Sequence, residues 1–156
     1  MDKMQFLQVD LGDQGHCEKL IYLLDAYMKD KMGKGKPMEQ GLSVKILDGL
    51  KKYNAYLGFF VLYDGEYAAL ANCNLNFSTF KASPLINIHD LIVLPGFRGK
   101  GLGKFLLESL SHYARGKGYC RINLEVRVDN ARAQALYKKV GFTECNPPMR
   151  FWEKIL

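Results

Sequence analysis

"FRGKGLGKFL", from Phe97 to Leu106, is a loop with three glycines and three basic residues that lies between two apolar stretches. The stretch before it, "PLINIHDLIV" from Pro84 to Val93, has the composition of a strand, and the stretch after it repeats apolar residues at helical spacing. Glycine-rich loops that open a helix bind anions, because small residues let backbone N–H groups approach and the helix N-terminus adds partial positive charge. The sequence therefore predicts a strand, an anion-binding loop and a helix in succession.

The spacing of the glycines excludes two common phosphate loops. A P-loop requires a glycine at the position of Arg98 and a serine or threonine at that of Phe105. A dinucleotide fingerprint that begins at Gly99 requires its third glycine at the position of Lys104. What remains is the pattern R-x-x-G-x-G, which runs from Arg98 to Gly103.

Length and composition bound the class of protein. The 156 residues suffice for one domain, expected to span 1–156, and 48% apolar with 24% charged residues is typical of a globular protein. The sequence has no recognisable signal peptide and no apolar run long enough to span a membrane, so we expect a cytoplasmic protein without a membrane partner. The cysteines lack the spacing of a zinc site, so we expect no metal and four free thiols, at Cys17, Cys73, Cys120 and Cys145.

The basic charge balance leaves several partners open. A net charge of +6 is compatible with a phosphate-bearing ligand, with nucleic acid, or with a solvated surface that happens to be basic. The sequence holds no helix rich in basic residues and no aromatic-basic RNA motif. We therefore expect no nucleic-acid partner.

Apolar periodicity and turn residues outline the remaining elements. The predicted order is β-α-α-β-β-β-α-β-α-β, typical of a mixed sheet with helices packed on it, in the α+β to α/β range. The strongest local signal is a hairpin, because the Asp-Gly turn at Asp64 favours a tight connection. The predicted strands are 5–9, 55–63, 67–77, 84–93, 120–126 and 149–156, and the predicted helices begin after Asp13, near Leu42, at Leu102 and at Asn130.

A second pattern lies downstream of the glycine loop. "NARAQALYKKVGF", from Asn130 to Phe142, has the arrangement N-x-x-A-x-x-x-Y-x-x-x-G-F, with Ala133, Tyr137 and Gly141 at the intermediate positions. Together with R-x-x-G-x-G, this resembles the GNAT family, the GCN5-related N-acetyltransferases. The motifs cover roughly residues 88 to 142, and the upstream order of strand, two helices and hairpin matches the family layout. The resemblance implies a three-layer α+β fold with a mixed, mostly antiparallel central sheet flanked by helices.

The resemblance also implies a site for acetyl-CoA. Backbone N–H groups from Arg98 to Lys104 would hold its pyrophosphate at the start of a helix, where an anion is favoured, and a side chain at Gly101 or Gly103 would block the approach. The backbone of Leu91–Val93 would pair with the pantetheine arm. Asn130 suits the N-cap of its helix in any case, and the resemblance adds a contact with the cofactor. The implied cofactor-binding residues are Leu91, Ile92, Val93, Arg98, Gly99, Lys100, Gly101, Leu102, Gly103, Lys104, Asn130, Ala133 and Tyr137.

Two residues are implied as catalytic. Tyr137 would lie near the thioester sulfur and protonate the departing thiolate, although the ordinary occupant of such a helix position is a half-buried structural tyrosine. The acceptor amine needs a base, and His89 takes the place of a glutamate in polyamine-acetylating relatives, which departs from the family pattern. An unperturbed histidine, with a pKa of about 6.5, suits this role near neutral pH. Asp90, Glu125 and solvent stay open as alternatives.

We therefore expect an enzyme that transfers the acetyl group of acetyl-CoA directly to a primary amine of a small molecule or peptide, within a ternary complex. Polyamines, aminoglycosides, amino acids and protein N-termini or lysines all stay open as acceptors. The alternative from another class is a GNAT-fold module that binds acyl-CoA without catalysis, against which Tyr137 argues, because a pure binder needs no acid. We also expect a homodimer.

Overall fold

The computed structural model describes residues 3–156 and contains five strands and four helices there. A short 3-10 turn, Pro95–Phe97, joins the fourth strand to the glycine loop. The strands are β1 (Met4–Gln8), β2 (Tyr56–Tyr63), β3 (Glu66–Ser78), β4 (Ser83–Val93) and β5 (Ile122–Leu124), and the helices are α1 (Gln14–Lys29), α2 (Leu42–Lys52), α3 (Leu102–Gly116) and α4 (Ala131–Lys139).

The strands form one mixed sheet in the order β1-β2-β3-β4-β5. The first three pairs are antiparallel, whereas β4 and β5 are parallel. The parallel pair is short, from Ile86 opposite Ile122 to Ile88 opposite Leu124. The predicted mixed, mostly antiparallel sheet is therefore confirmed, and β4 continues beyond the point where β5 stops pairing with it.

The sheet buries apolar side chains on both of its faces. Because strand side chains alternate, the neighbouring residues Phe59 and Phe60 of β2 are both fully buried but face opposite layers. Phe60 packs in a cluster with residues of α1 and α2, and Phe59 in a cluster with residues of α3 and α4. Complete burial of such a side chain contributes about 1.5–3 kcal/mol, so these two layers provide the principal stabilisation of the sheet.

The predicted helix cap and hairpin turn are both present in the structure. The carboxylate of Asp13 accepts a hydrogen bond from the backbone N–H of His16 at 2.9 Å and caps α1. In the hairpin between β2 and β3, Asp64 and Gly65 have φ of 50° and 83°, the left-handed pair that a tight hairpin turn requires. The predicted helix and hairpin positions are confirmed to within a few residues.

One extra residue interrupts the pairing of β3 with β4. Asn72 lies opposite Asp90 and Cys73 opposite Ile88, so His89 has no partner and forms a β-bulge. Ile88 and Leu91 therefore both face the α3 layer, although residues three apart in a regular strand face opposite sides. The bulge sets the direction of every β4 side chain between it and the glycine loop.

The predictions for the last third of the chain need correction. The strand expected over 120–126 is limited to Ile122–Leu124, and the strand expected over 149–156 is wrong, because the structure has no strand among residues 143–156. The segment is rich in apolar residues, but a strand also needs a neighbouring strand with which to exchange backbone hydrogen bonds. Among residues 3–156, none of the helices combines the length and the apolar character needed to cross a membrane.

Candidate active site

The glycine loop presents a row of backbone donors at the start of α3. Gly99 and Gly101 have φ of 78° and 85°, left-handed values that favour glycine. Within the described chain, none of the backbone N–H groups from Gly99 to Lys104 has a hydrogen-bond acceptor, whereas that of Arg98 donates to the carbonyl of Pro95 at 3.3 Å. The predicted row of donors thus begins one residue later than expected, and it adjoins the positive end of the helix dipole.

Gly103 has a packing role that the sequence did not reveal. It lies inside α3, and a Cβ placed on it would come within 2.8 Å of the Leu136 side chain of α4. The absence of a side chain therefore lets α4 approach the first turn of α3. By contrast, a Cβ on Gly101 would meet only the end of the Met4 side chain, at 4.0 Å, so the space above this glycine is open.

Each basic side chain around the loop has a partner within the protein. Arg98 donates from Nε to the carbonyl of Val93 at 3.0 Å and from its guanidinium to Asp30 Oδ2 at 2.7 Å. Lys104 lies 3.3 Å from Glu108, one turn further along α3. Lys100 lies over the ring of Tyr63, 5.0 Å from its centroid. Arg98 therefore fixes the loop to β4 and to the end of α1, while both lysines lie at the protein surface.

A cavity of about 140 Å³ opens where β4 and β5 cease to pair. Its walls come from the diverging strands, from α4, and from the end of α1 with the segment after it. The lining residues are Tyr27, Met32, Ile88, His89, Leu91, Leu124, Glu125, Val126, Arg127, Asn130, Ala133, Leu136 and Tyr137. The cavity thus brings together Leu91, His89, Asn130, Ala133 and Tyr137 from the predicted site.

Tyr137 is one of the half-buried side chains that line this cavity. Burial of the ring, together with the nearby Tyr27, raises the pKa of Tyr137 to about 12. The phenol is therefore protonated throughout the neutral range. Its ring also contacts that of Phe142, with centroids 5.8 Å apart, so the G-F pair at the end of the motif helps to hold it. Asn130 accepts from the backbone N–H of Ala133 at 3.1 Å, which confirms the predicted N-cap of α4.

The three candidate bases have different surroundings. His89 at the bulge and Glu125 after β5 are exposed and line the cavity with Tyr137. Asp90 is half-buried and is not part of the lining. Its Oδ2 accepts from the amide of Asn72 at 3.1 Å, and the Asn72 carbonyl accepts from the Tyr56 hydroxyl at 2.8 Å. Asp90 is thus committed to a hydrogen-bonded chain across β2, β3 and β4.

Sequence patterns did not reveal the residues that cover the cavity. Tyr27 lies at helical spacing from the apolar residues of α1, a pattern typical of the core, yet it lines the cavity, and burial with nearby Asp90 and Asp30 raises its pKa. Met32 lies in a charged loop without a motif. The contact of Arg98 with Asp30 joins residues 68 positions apart, and no local spacing encodes such a contact.

A comparison of the chain with models of known protein families shows to which family it belongs. The model of the acetyltransferase (GNAT) family matches residues 20–142, which include the glycine loop, the diverging strands and α4. The chain belongs to the GNAT family. The resemblance predicted from the two motifs is therefore confirmed, and it extends upstream to α1.

Individual GNAT relatives are similar over part of their length. An uncharacterized N-acetyltransferase of Methanocaldococcus jannaschii is 35% identical over 89 residues, which are 56% of this chain and 39% of the relative. Streptothricin acetyltransferase of Streptomyces lavendulae is 35% identical over 82 residues, 53% of this chain and 41% of the relative. The chain thus spans about two fifths of these curated relatives. The crystal structure of a probable acetyltransferase superposes with a TM-score of 0.83 at 21% identity, over 97% of this chain and 98% of its own, and so shares the fold.

Proposed function

We propose that this GNAT protein is an acetyl-CoA-dependent N-acetyltransferase that acts on a primary amine by direct attack in a ternary complex, with residues 1–156 as one domain. The observation that carries the proposal is the cavity between β4 and β5, which holds a protonated Tyr137 beside the glycine loop. Leu136 lies against Gly103, and Tyr137 is the next residue of α4, which supports a single site formed by the cavity and the glycine loop.

The residues present fit acetyl-CoA. The free N–H groups from Gly99 to Lys104 suit a pyrophosphate, and the surface lysines Lys100 and Lys104 add positive charge at the loop. Leu91, Ala133 and the N-cap Asn130 would contact the pantetheine arm, since they line the cavity beyond the loop. When bound, acetyl-CoA supplies an acetyl group activated as a thioester.

Proton transfer is assigned to the cavity residues. The Oη of Tyr137 holds a proton at neutral pH and would donate it to the departing thiolate, which otherwise leaves as a charged group. We propose His89 as the base that accepts a proton from the acceptor amine, directly or through water, because it lines the cavity with Tyr137. Glu125 is the first rival, since it also lines the cavity. Asp90 is the second.

The base is tested by the pH dependence of kcat/KM. We expect kcat/KM to rise with pH, because only the neutral imidazole of His89 accepts a proton. His89→Gln should flatten this limb and leave acetyl-CoA affinity unchanged. Loss of the limb in Glu125→Gln or Asp90→Asn, with His89→Gln unaffected, would transfer the role to that carboxylate. An unchanged limb in all three variants would mean that the amine is deprotonated by solvent.

The activity itself is tested by release of free thiol from acetyl-CoA in the presence of a panel of amines. The panel should hold a polyamine, an aminoglycoside, an amino acid, and peptides with a free N-terminus or a lysine. We expect turnover with at least one class, and Tyr137→Phe serves as the control. Binding of acetyl-CoA without turnover with any class would support the binding module instead.

We propose further that the enzyme forms a homodimer and works in the cytoplasm without a nucleic-acid or membrane partner. Two of its four free thiols, Cys120 and Cys145, are exposed, which suits a reducing compartment. A measurement of molecular size in solution tests the homodimer, and cell fractionation tests the cytoplasmic location.

A further inference from the structure

A line of polar side chains crosses the sheet beside the bulge at His89. Asn72 on β3 is 7% exposed, and its amide donates to Asp90 Oδ2 at 3.1 Å. The amide oxygen of Asn72 accepts from the hydroxyl of Tyr56 on β2 at 2.8 Å. Both hydrogen bonds lie on the face of the sheet that α1 and α2 cover, since Tyr56 packs in the cluster of these helices. The hydrogen-bonded chain of Tyr56, Asn72 and Asp90 therefore joins three strands at the level of the bulge.

The surroundings of Asn72 satisfy both ends of its amide. A buried amide is costly in free energy unless its donor and its acceptor both have partners. Burial raises the pKa of Tyr56, so the phenol stays protonated and donates. Gly58 lies opposite Asn72 in the sheet, and a Cβ on this glycine would collide with the Tyr56 hydroxyl. The absence of a side chain at Gly58 therefore lets Tyr56 reach across the sheet to Asn72.

The hydrogen-bonded chain ends at the residue that follows the bulge. In a regular pairing without the bulge, His89 would lie opposite Asn72, and Asp90 opposite Ala71. Ala71 belongs to the apolar cluster of α3, so the Asp90 carboxyl group would enter this cluster at a large cost in free energy. With the bulge, Asp90 lies on the opposite face and meets the amide of Asn72. The hydrogen bond between Asn72 and Asp90 therefore favours the bulge over the regular pairing.

We propose that Tyr56 and Asn72 are positioning residues that act through Asp90 to hold the bulge in place. The bulge in turn directs the two neighbours of Asp90, His89 and Leu91, toward the cavity that both of them line. Displacement of such groups by about 1 Å can lower a rate about 100-fold. The effect on the rate rests on the acetyl transfer proposed above, whereas the effect on the bulge does not.

Tyr56→Phe tests the hydrogen-bonded chain at the end that lies outside the cavity lining. We expect kcat to fall about 10-fold or more, because Asn72 loses the partner that orients its amide. The KM for acetyl-CoA should change less than kcat, because the glycine loop is not altered. The matched control is Tyr113→Phe, which removes the hydroxyl of a tyrosine on α3 that packs against Phe59 in the other layer. This control should keep the wild-type kcat.

An exchange of the two side chains tests the link between Asn72 and Asp90. Asn72→Asp alone places two carboxyl groups opposite each other, so it should lower kcat more than Tyr56→Phe does. Asn72→Asp combined with Asp90→Asn restores both hydrogen bonds, because the carboxylate now at position 72 accepts from Tyr56 and from the amide now at position 90. We expect this double variant to recover most of the kcat lost in Asn72→Asp. No recovery would overturn the proposal and would be the result expected if Asp90 were itself the base.

Amide hydrogen exchange, measured by NMR, follows the bulge without any reference to activity. The backbone N–H groups of residues 88–92 should exchange about 10-fold faster in Tyr56→Phe and in Asn72→Asp than in the wild type, as expected for loss of a buried hydrogen bond. They should exchange at the wild-type rate in Tyr113→Phe.

Three combinations of results distinguish the possible roles of the hydrogen-bonded chain. Faster exchange that is uniform over the whole sheet, with kcat unchanged, would overturn the proposal and leave Tyr56 and Asn72 with a structural role only. Wild-type exchange at residues 88–92 in both variants would overturn it as well. Faster exchange confined to residues 88–92, in a protein that acetylates none of the amines, would support the hold on the bulge and contradict the proposed activity instead.

Discussion

At the scale of single residues, removal of the Tyr137 hydroxyl tests its proposed role as the acid. Tyr137→Phe removes this hydroxyl and keeps the ring that packs against Phe142. We expect kcat to fall about 10²–10⁴-fold, the usual effect of losing a general acid, with acetyl-CoA affinity unchanged. Because the pKa of Tyr137 is raised to about 12, this group should cause no alkaline loss of activity below about pH 10 in the wild type. A wild-type rate in the variant, with chemistry limiting, would return Tyr137 to a structural role.

The sequence predicts residues whose role depends on near neighbours. The cap at Asn130 and the position of the glycine loop before α3 follow from local backbone requirements, which a short motif can record. The sequence does not predict Tyr27 as a cavity residue or Asp90 as the end of a hydrogen-bonded chain. Both depend on which strands and helices meet, and residues far apart in the chain determine that.

At the scale of elements, the loop before α3 is tested by Gly101→Glu. The carboxylate would enter the open space above the loop and repel a pyrophosphate, so acetyl-CoA binding should fall below detection in calorimetric titration. Gly103→Glu should also abolish binding but would disturb Leu136 as well, so it is the less informative variant. Gly118→Glu is the matched control, because Gly118 also has a left-handed φ, 72°, and open space around it. Equal binding by both variants would exclude the loop as the anion site.

The ion pair between Asp30 and Arg98 joins two elements, and its effect on stability depends on pH. The N–H of Met32 and then Arg98 lower the pKa of Asp30 below its ordinary range near 4. The stabilisation is therefore complete above that range and is lost as pH falls through the lower pKa of the folded state. We expect Asp30→Asn, which keeps an acceptor oxygen for Met32, to lower the free energy of unfolding by about 1–2 kcal/mol at pH 7.

The difference between Asp30→Asn and the wild type should shrink as pH falls below about 4, which urea unfolding at several pH values measures. Asp129→Asn breaks the exposed ion pair with Arg127 and should lower the free energy of unfolding by less than Asp30→Asn does. If Asp30→Asn lowers the free energy of unfolding by the same amount down to pH 2, the charge of Asp30 is not the source of the stabilisation.

Elements with their own start, stop and turn signals were predicted well, as α1 and the β2–β3 hairpin illustrate. The last predicted strand failed for a different reason. Residues 149–156 include several large apolar side chains, but whether such a segment becomes a strand depends on a partner edge, and the sequence of one segment does not state where that edge lies. The bulge at His89 was missed because one unpaired residue leaves no mark in the apolar pattern.

At the scale of the whole molecule, the reactivity of the four cysteine thiols shows which regions a reagent in solvent can reach. Cys120 and Cys145 are exposed, whereas Cys17 and Cys73 are buried, and burial, with a contribution from Asp90, raises the pKa of Cys73 to about 12. We expect a thiol reagent at pH 8 to label Cys120 and Cys145 rapidly in dilute native protein and all four cysteines after unfolding. Rapid labelling of a third thiol in the native protein would show that one of the two layers opens readily.

The segment between α1 and α2 holds its shape mainly through its main chain. Lys34 and Lys36 donate backbone N–H groups to the carbonyl of Met28, and Gly33 and Gly35 donate to that of Asp30. Side chains at the lysine positions can therefore change at little cost to the fold, while the glycine loop and α4 stay as they are. A combinatorial library restricted to Lys34 and Lys36 would therefore vary the surface beside Met32, which lines the cavity, while Gly33 is kept because a Cβ there would collide with the carbonyl of Tyr27.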